Sequence, residues 1–535
     1  MRKEIELVLL PEQATDETIQ KKLAAIQLDI PEVSISHLKI CKRSIDARSR
    51  QVKIRILAEV YYNEPAPEQR NTKREYPHVS NKPPILIIGA GPAGLFAALR
   101  LIELGFKPIV VERGKDVKSR RRDLAAIHKQ QIVHPDSNYC FGEGGAGTFS
   151  DGKLYTRSNK RGDVTKILTV LVDHGAHEDI LTDAHPHIGT NKLPAVITAI
   201  RETIINAGGE VLFNCRVTDF IIKSQAIRGI VTQSGDTMEA KAVVLATGHS
   251  ARDIYELLHR KNILLEAKPF AIGVRIEHPQ ALIDSIQYHC SIDAVAAQRE
   301  YLPAASYSMV QQVDGQGVFS FCMCPGGIIA PCATAPGEIV TNGWSPSKRN
   351  NPFANSGIVV TIDPVSLYKE NKNVIQNNNP LIGLHYQQAI EQKAFLAANP
   401  NSINGTGQAA PAQRMDDFVK GRLSGNLPPA SYQPGIVSLP LQEILPHNIS
   451  YRLQEAFKLF GRKMKGYYTN EAVLVAVESR TSTPVRIPRD KDTLQHPHIK
   501  GLYPCGEGAG YAGGIVSAAM DGEACADACA IALKV

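Results

Sequence analysis

The sequence predicts an α/β protein built on a parallel sheet, with further α+β units attached. Three observations carry that prediction. A short, wholly apolar run, Pro84-Ile85-Leu86-Ile87-Ile88, opens directly into the glycine-rich turn Gly89-Ala90-Gly91-Pro92-Ala93-Gly94. A helix with an apolar face follows, and then a second strand, Pro108-Ile109-Val110-Val111. After a long excursion, the segment from Gly501 to Val535 returns to the same strand–loop–helix rhythm. Short, fully apolar strands alternating with helices are expected where a sheet is buried on both faces.

The chain has 535 residues, more than one compact core usually holds, so several packed units are expected. Hydrophobic residues make up 43% and charged residues 21%, which excludes global disorder. The net charge of +7 is a mild bias over this length. It suits an anionic small molecule and makes nucleic acid an unlikely partner. The N-terminal residues show no secretory pattern, and no segment approaches a membrane span. With ten scattered cysteines, a cytoplasmic protein with reduced thiols is expected.

The first unit, 1–78, is small and α+β, with a ferredoxin-like arrangement expected. Ile5–Leu10 reads as a strand. Thr15 or Asp16 should cap a helix that presents Ile19, Leu23 and Ile26 on one face. Val33–Ile45 and Gln51–Tyr62 alternate β-branched with basic residues, as strands with one wet face do. The proline-rich, charged stretch from Asn63 to Pro84 reads as a linker.

The second unit, 79–266, begins with the glycine turn. Gly89 permits the tight turn off the strand, Gly91 lets backbone approach a pyrophosphate, and Gly94 lets the helix pack against the sheet. Pro92 and Ala93 start that helix, whose N-terminus offers N–H groups and partial positive charge to phosphates. Glu112 ends the second strand where a carboxylate can bind ribose hydroxyls, and Arg113 adjoins it. The order strand, glycines, helix, strand and acid predicts a Rossmann-type dinucleotide site. A helix over Leu193–Asn206 with Val196, Ile197, Ile200 and Ile204 on one face comes later. It is followed by a strand over Glu210–Val217, two short strands (Phe220–Ile222 and Arg228–Thr232), and a return run, Ala242–Gly248.

This excursion, ending in Ala246-Thr247-Gly248, resembles the glutathione-reductase-like FAD fold. The distal segment Gly501-Leu502-Tyr503-Pro504-Cys505-Gly506-Glu507 resembles the same fold's second cofactor motif. The resemblance implies FAD rather than NAD as cofactor. It puts Val217 at the adenine, Thr247 and Gly248 beside the cofactor, and Gly506, Glu507, Gly514 and Ile515 along the ribityl chain and flavin edge. A helix from about Gly514 would direct its positive end at the flavin. The domain would then comprise 79–266 and 500–535, with 267–499 forming a mixed α+β cap over the flavin.

Longer signatures narrow the likeness. They are Asn138–Leu154, His185–Thr190, Cys322-Met323-Cys324-Pro325-Gly326-Gly327, Glu478–Arg489 and Lys42–Arg48. Together they resemble the bacterial family usually described as uncharacterised FAD-dependent dehydrogenases or oxidoreductases, with an FAD-dependent-protein C-terminal domain. The resemblance implies that Gly145, Gly147 and Ser150 lie beside the flavin.

Three residues are candidates for catalysis. Lys153 could neutralise reduced flavin or bind an anionic substrate, or it could be solvated. Cys324 could face the flavin as a single thiol, or be a small buried hydrophobe, since a disulfide across C-x-C would be strained. Arg480 could form an anion clamp with Arg486 and Arg489, or pair internally with Glu478. His174, His177, His185 and His187 lack the frame of ligands a metal site needs, so no metal is expected. His187 could instead hydrogen-bond near the flavin. No second glycine-rich nucleotide turn is present. Reductant would therefore share the substrate pocket, or NAD(P)H, a separate reductase or another external carrier would exchange electrons with the flavin. The expected reaction is hydride transfer between a small organic substrate and flavin N5. The alternatives are a non-catalytic FAD-sensing module and a flavin-dependent tRNA-modifying enzyme.

Overall fold

The computed structural model describes residues 1–66, 74–156, 162–370 and 379–534. The N-terminal unit consists of β1 (Arg2–Leu9), α1 (Glu17–Leu28), β2 (Ile35–Asp46) and β3 (Lys53–Tyr62). β3 lies between β1 and β2, antiparallel to both. Ile54, Ile56, Ala58 and Val60 of β3 point inward, with Lys53, Arg55 and Glu59 between them. This β-α-β-β order, with β3 central, is what the first half of the expected ferredoxin-like arrangement would show. The second helix and fourth strand of that fold are absent among the described residues.

Asp16 caps α1, its carboxylate accepting from the Thr18 and Ile19 N–H groups. The face of α1 differs from expectation. Ile26 is 67% exposed, and Gln20, Ala24 and Ala25 are buried instead. Two alanines let the helix approach the sheet closely, and the Gln20 amide is satisfied by the Ala14 carbonyl. Residues 67–73 of the expected linker lie outside the described residues. Its later part is docked: Val79 is buried and its N–H donates to the Ala207 carbonyl.

The parallel sheet holds five strands. In spatial order they are Leu502–Pro504, Val243–Leu245, β4 (Pro84–Ile88), β5 (Lys107–Val111) and Glu210–Leu212. Every neighbouring pair is parallel. Strand Glu210–Leu212 stops earlier than expected. Asn214 takes a left-handed φ of 52°, and Val217 begins the next strand, Val217–Lys223. That strand pairs with Ala226–Thr232, which pairs with Thr237–Glu239, in a separate antiparallel sheet. Helix α2 (Pro92–Glu103) is buried along most of its length and packs against the C-terminal helix, Ile515–Lys534.

A second large sheet has seven strands, in the order Val310–Val313, Gln316–Cys324, Phe353–Ile362, Phe270–Pro279, Val473–Glu478, Ala410–Arg414 and Ile436–Ser438. It is antiparallel except for the last pair. The central strand Phe270–Pro279 is buried on both faces, under helices that include His447–Lys463. A short pairing of Glu266–Ala267 with Val485–Arg486 brings the chain's exit to this sheet beside its return. Among the described residues no helix is long and apolar enough to cross a membrane.

Candidate functional site

A cavity of about 400 Å³ runs along the C-terminal ends of the parallel strands. This is the place where open parallel sheets bind ligands. Its first wall is the glycine turn. Gly89 has φ 104°, and a Cβ there would lie 2.4 Å from the Ala246 carbonyl oxygen. Gly91 presents bare backbone to the cavity: a Cβ on it would meet nothing nearer than Gly145 Cα at 4.0 Å. No side chain caps α2, so its N-terminus is open to an anion. The cradle therefore fits a diphosphate on geometric grounds. Gly94 does not line the cavity. A Cβ there would lie 1.9 Å from the Gly89 carbonyl oxygen, so this glycine serves helix–turn packing.

Glu112 lines the cavity at the end of β5 and also organises its floor. Its carboxylate accepts from the N–H groups of Ala90, Gly114 and Gly142, each at 2.9 Å. Arg113 pairs with Asp136 and Asp253 and lies 4.2 Å over the Phe141 ring. Val217 lines the same end. The loop carrying Gly145, Gly147 and Ser150 is held by Arg120, which is fully buried. Its guanidinium donates to the carbonyls of Asn138, Tyr139, Glu143 and Gly145 at 2.8–2.9 Å. Burial lowers its pKa to about 10, against the pull of Glu112.

The opposite wall comes from Thr247, Gly248, Gly506, Glu507, Gly514 and Ile515. Asp521 accepts from the Gly506 N–H at 2.7 Å and is clamped by Arg489 at 2.6 and 3.0 Å. Gly89 and Gly506, far apart in the chain, thus face one cleft. Among the candidate cofactor residues, Gly94 alone stands outside the lining.

The other end of the cavity holds Lys153, His249, Phe321, Cys322, Arg480 and Glu507. Cys324, read from the sequence as a thiol facing the flavin or as a small buried hydrophobe, is not among them. It is fully buried, with its sulfur 3.5 Å from Arg275 Nη2 and 3.3 Å from the Cys322 carbonyl oxygen. Cys322 faces the cavity instead, because a bulge between Phe321 and Cys324 puts Cys322 at a left-handed φ of 47°. Lys153 Nζ sits 3.8 Å from Cys322 Sγ and donates to the Met323 carbonyl.

Arg480 does not pair with Glu478. It donates to Glu391 and Glu338, at 2.8 Å each, and to Thr334. Arg252 binds the same two carboxylates, while Glu478 pairs with Arg275 at 3.0 Å. The anion clamp does not assemble: Arg489 is committed to Asp521, and Arg486 lies 3.9 Å from Glu266, half in solvent.

Burial, reinforced by Arg480 and Arg252, depresses the His249 pKa to about 4, so its ring is neutral at neutral pH. Burial pushes Glu507 up to about 7, against Lys268. His249 Nδ1 and Glu507 Oε2 approach to 3.8 Å. Burial also works against charge on Lys153, but Cys322, Cys324 and Asp151 outweigh it and raise its pKa. His174, His177, His185 and His187 do not converge. His187 bonds the Ser347 carbonyl, outside the cavity lining. Among the described residues one group, Cys505, Asp521 and Cys525, has metal-ligand proximity. The Arg489 guanidinium already fills it, 3.3 Å from Cys525 Sγ, so a metal ion does not fit. Arg120, Glu338 and Glu391 carry no local sequence signal. His249 stands directly after Ala-Thr-Gly and could have been read from that position.

Three family profiles match the chain. One, described as FAD-dependent protein, C-terminal domain-like, matches residues 269–481. One, described as pyridine nucleotide-disulphide oxidoreductase, matches 83–259. A domain of unknown function matches 1–61. An uncharacterised protein of Clostridium beijerinckii is 39% identical over 525 residues, covering 94% of each chain. A thiamine thiazole synthase of Methanococcus maripaludis is 28% identical over 192 residues, covering 33% of this chain and 60% of that protein. Among solved structures, the flavin-dependent brominase Bmp2 is similar at 14% identity and a TM-score of 0.35, covering 84% of this chain and 79% of that one.

Proposed function

Since this chain belongs to the family of FAD-dependent proteins defined by that C-terminal domain, we propose that it transfers hydride between a bound organic substrate and flavin N5. FAD is its cofactor, and it is a flavoprotein oxidoreductase. The proposal assigns the pyrophosphate to Gly89, Gly91, Pro92, Ala93 and the N-terminus of α2. It assigns the adenosine to Glu112, Arg113 and Val217. The ribityl chain and ring fall to Gly145, Gly147, Ser150, Thr247, Gly248, Gly506, Glu507, Gly514 and Ile515. It also places the parallel sheet in the glutathione-reductase-like class, with the antiparallel sheet as cap. One observation carries the assignment: Gly89 and Gly91 of the β4–α2 turn, and Gly506, Gly513 and Gly514 after strand Leu502–Pro504, line a single cavity.

Bound there, FAD supplies the ring that exchanges hydride. The protein's own groups set its surroundings. Lys153 brings positive charge to the substrate end, where it favours an anionic substrate or a reduced ring. His249, neutral, can accept a proton, and Glu507 can hold one near neutral pH. Arg480 lines the wall as a positioning residue, fixed there by Glu338 and Glu391. The second large sheet is antiparallel in all but one pair, so it offers no second dinucleotide site of the parallel kind. Hydride donor and acceptor therefore reach the ring through the same cavity in turn, whether small organic molecules or NAD(P)H.

Purified protein should be yellow, with close to one FAD per chain. An anaerobic screen of hydride donors, followed by flavin absorbance, tests the reaction. Rapid bleaching by one organic class is expected. A flavin-loaded protein that no hydride donor bleaches would overturn it.

A further inference from the structure

Cys322 and Cys324 sit where the C-x-C spacing argued against joint chemistry. In a regular strand two such cysteines lie on one face but are held apart by the full strand rise. The bulge breaks that regular spacing. On strand Gln316–Cys324, Phe321 pairs with Gly357 and Cys324 with Asn355, so three steps on one strand match two on its neighbour. The extra residue is Cys322, in a left-handed conformation that a branchless glycine would hold more cheaply. The Cys324 thiol donates back to the Cys322 carbonyl oxygen at 3.3 Å, which folds its side chain toward that residue. Their surroundings are unequal. Cys322 lines the cavity and has the Lys153 ammonium at 3.8 Å, with Asp151 holding that lysine at 3.7 Å. Cys324 is sealed beneath it against Arg275.

We propose that Cys322 and Cys324 form a redox dithiol that exchanges two electrons with the flavin and reduces a disulfide substrate entering the same cavity. The proposal rests on the cofactor assignment above. The Cys322 thiolate attacks one sulfur of the substrate disulfide. A Cys322–substrate S–S bond forms, and the substrate's own S–S bond breaks, releasing one thiolate that is protonated from solvent. Cys324, giving up its proton, then attacks Cys322 Sγ and releases the second substrate thiol. The Cys322–Cys324 disulfide left behind returns to the dithiol when it takes two electrons and two protons from the reduced flavin, which the hydride donor has charged. The asymmetry suits this order. The Cys324 thiol first, and then Lys153 and Arg275, outweigh burial and lower the pKa of the exposed sulfur, whereas its sealed partner is raised.

The test is an anaerobic dithionite titration of the oxidised holoprotein, with bound flavin and alkylatable thiols counted on the same sample. The wild type should take up four electrons per flavin and gain two thiols on reduction, mapped by mass to 322 and 324. Cys322→Ser and Cys324→Ser, each retaining flavin, should take up two electrons and gain no thiols. Oxidised glutathione added to the reduced wild type should be consumed. Uptake of two electrons by flavin-loaded wild type would overturn the dithiol and leave the cofactor assignment standing. Protein devoid of flavin would overturn the assignment. The thiol count after treatment with oxidised glutathione would then decide the pair by itself, loss of two thiols to a 322–324 disulfide supporting it and no such disulfide refuting it.

Discussion

A methyl group on Gly94 would strike the Gly89 carbonyl at 1.9 Å, whereas one on Gly91 would enter open cavity. Gly94→Ala should therefore yield an unstable protein whatever the flavin supply. Gly91→Ala should fold with an unchanged apoprotein melting temperature yet bind FAD at least ~10-fold more weakly, a loss of about 1.4 kcal/mol. Flavin fluorescence titration and thermal unfolding separate the two. Glu277 makes a prediction about pH. It is buried, accepts from Ser431, and burial raises its pKa to about 7. An acid raised on folding binds its proton more tightly in the native state. Its contribution is thus complete below the ordinary carboxylate range and is lost as pH rises through 7. Glu277→Gln should flatten this dependence, recovering up to about 3 kcal/mol relative to wild type at pH 8 compared with pH 4.5. Urea midpoints at the two values measure it. At this scale the residues singled out by chemistry that demands one residue type, Gly89, Gly91 and Glu112, all line the cavity. Cys324 is the small buried hydrophobe of the two readings, and Cys322 was missed because strand alternation carries no trace of a bulge.

Between elements, buried charge does what apolar patterning does elsewhere. Arg252 on its helix, Glu391 on Ile382–Ala398, Glu338 and Arg480 form one network. Removing one member leaves charges unpaired in the interior. Glu391→Ala should cost about 3–5 kcal/mol, read as a fall in denaturant midpoint, and Glu391→Gln should cost less because it keeps hydrogen bonds to Ser479 and Arg480. No local pattern announces this network: Arg480 lies 89 and 142 positions from its carboxylates. Elements with strong periodicity were legible, helix Leu193–Asn206 to the residue. Helix α1 was legible in extent and cap but not in face, since its apolar Ile26 was outcompeted by the close fit of Ala24 and Ala25. The seven-stranded sheet was legible only as mixed α+β, because short strands such as Val310–Val313 find partners by long-range contact.

For the molecule as a whole, the cavity draws its lining from Ile88 through Ala518 and from both large sheets. Ligand binding should therefore stabilise them together. FAD at about 100 times its Kd should add about 2.7 kcal/mol and raise one melting transition, not a separable part of it. Amides of β4 and of Leu502–Pro504 should gain protection against hydrogen exchange in step. The convergence of two distant glycine segments was legible because each matches a phosphate or ring neighbour on chemical grounds. What surrounds the Lys153 end of the cavity was not, since it comes from loops whose positions only packing against the seven-stranded sheet defines.

The strand Leu502–Pro504 and the helix after it complete the parallel sheet from its outer edge, against strands made more than 250 residues earlier. During synthesis the ribosome therefore releases a half-built nucleotide cradle long before its closing segment emerges. Until then the glycine turn of the nascent chain stands open, and FAD can be captured only after that segment docks. Any message cut short before that point would give a colourless polypeptide, so pigmentation of the product doubles as a report that translation passed residue 515.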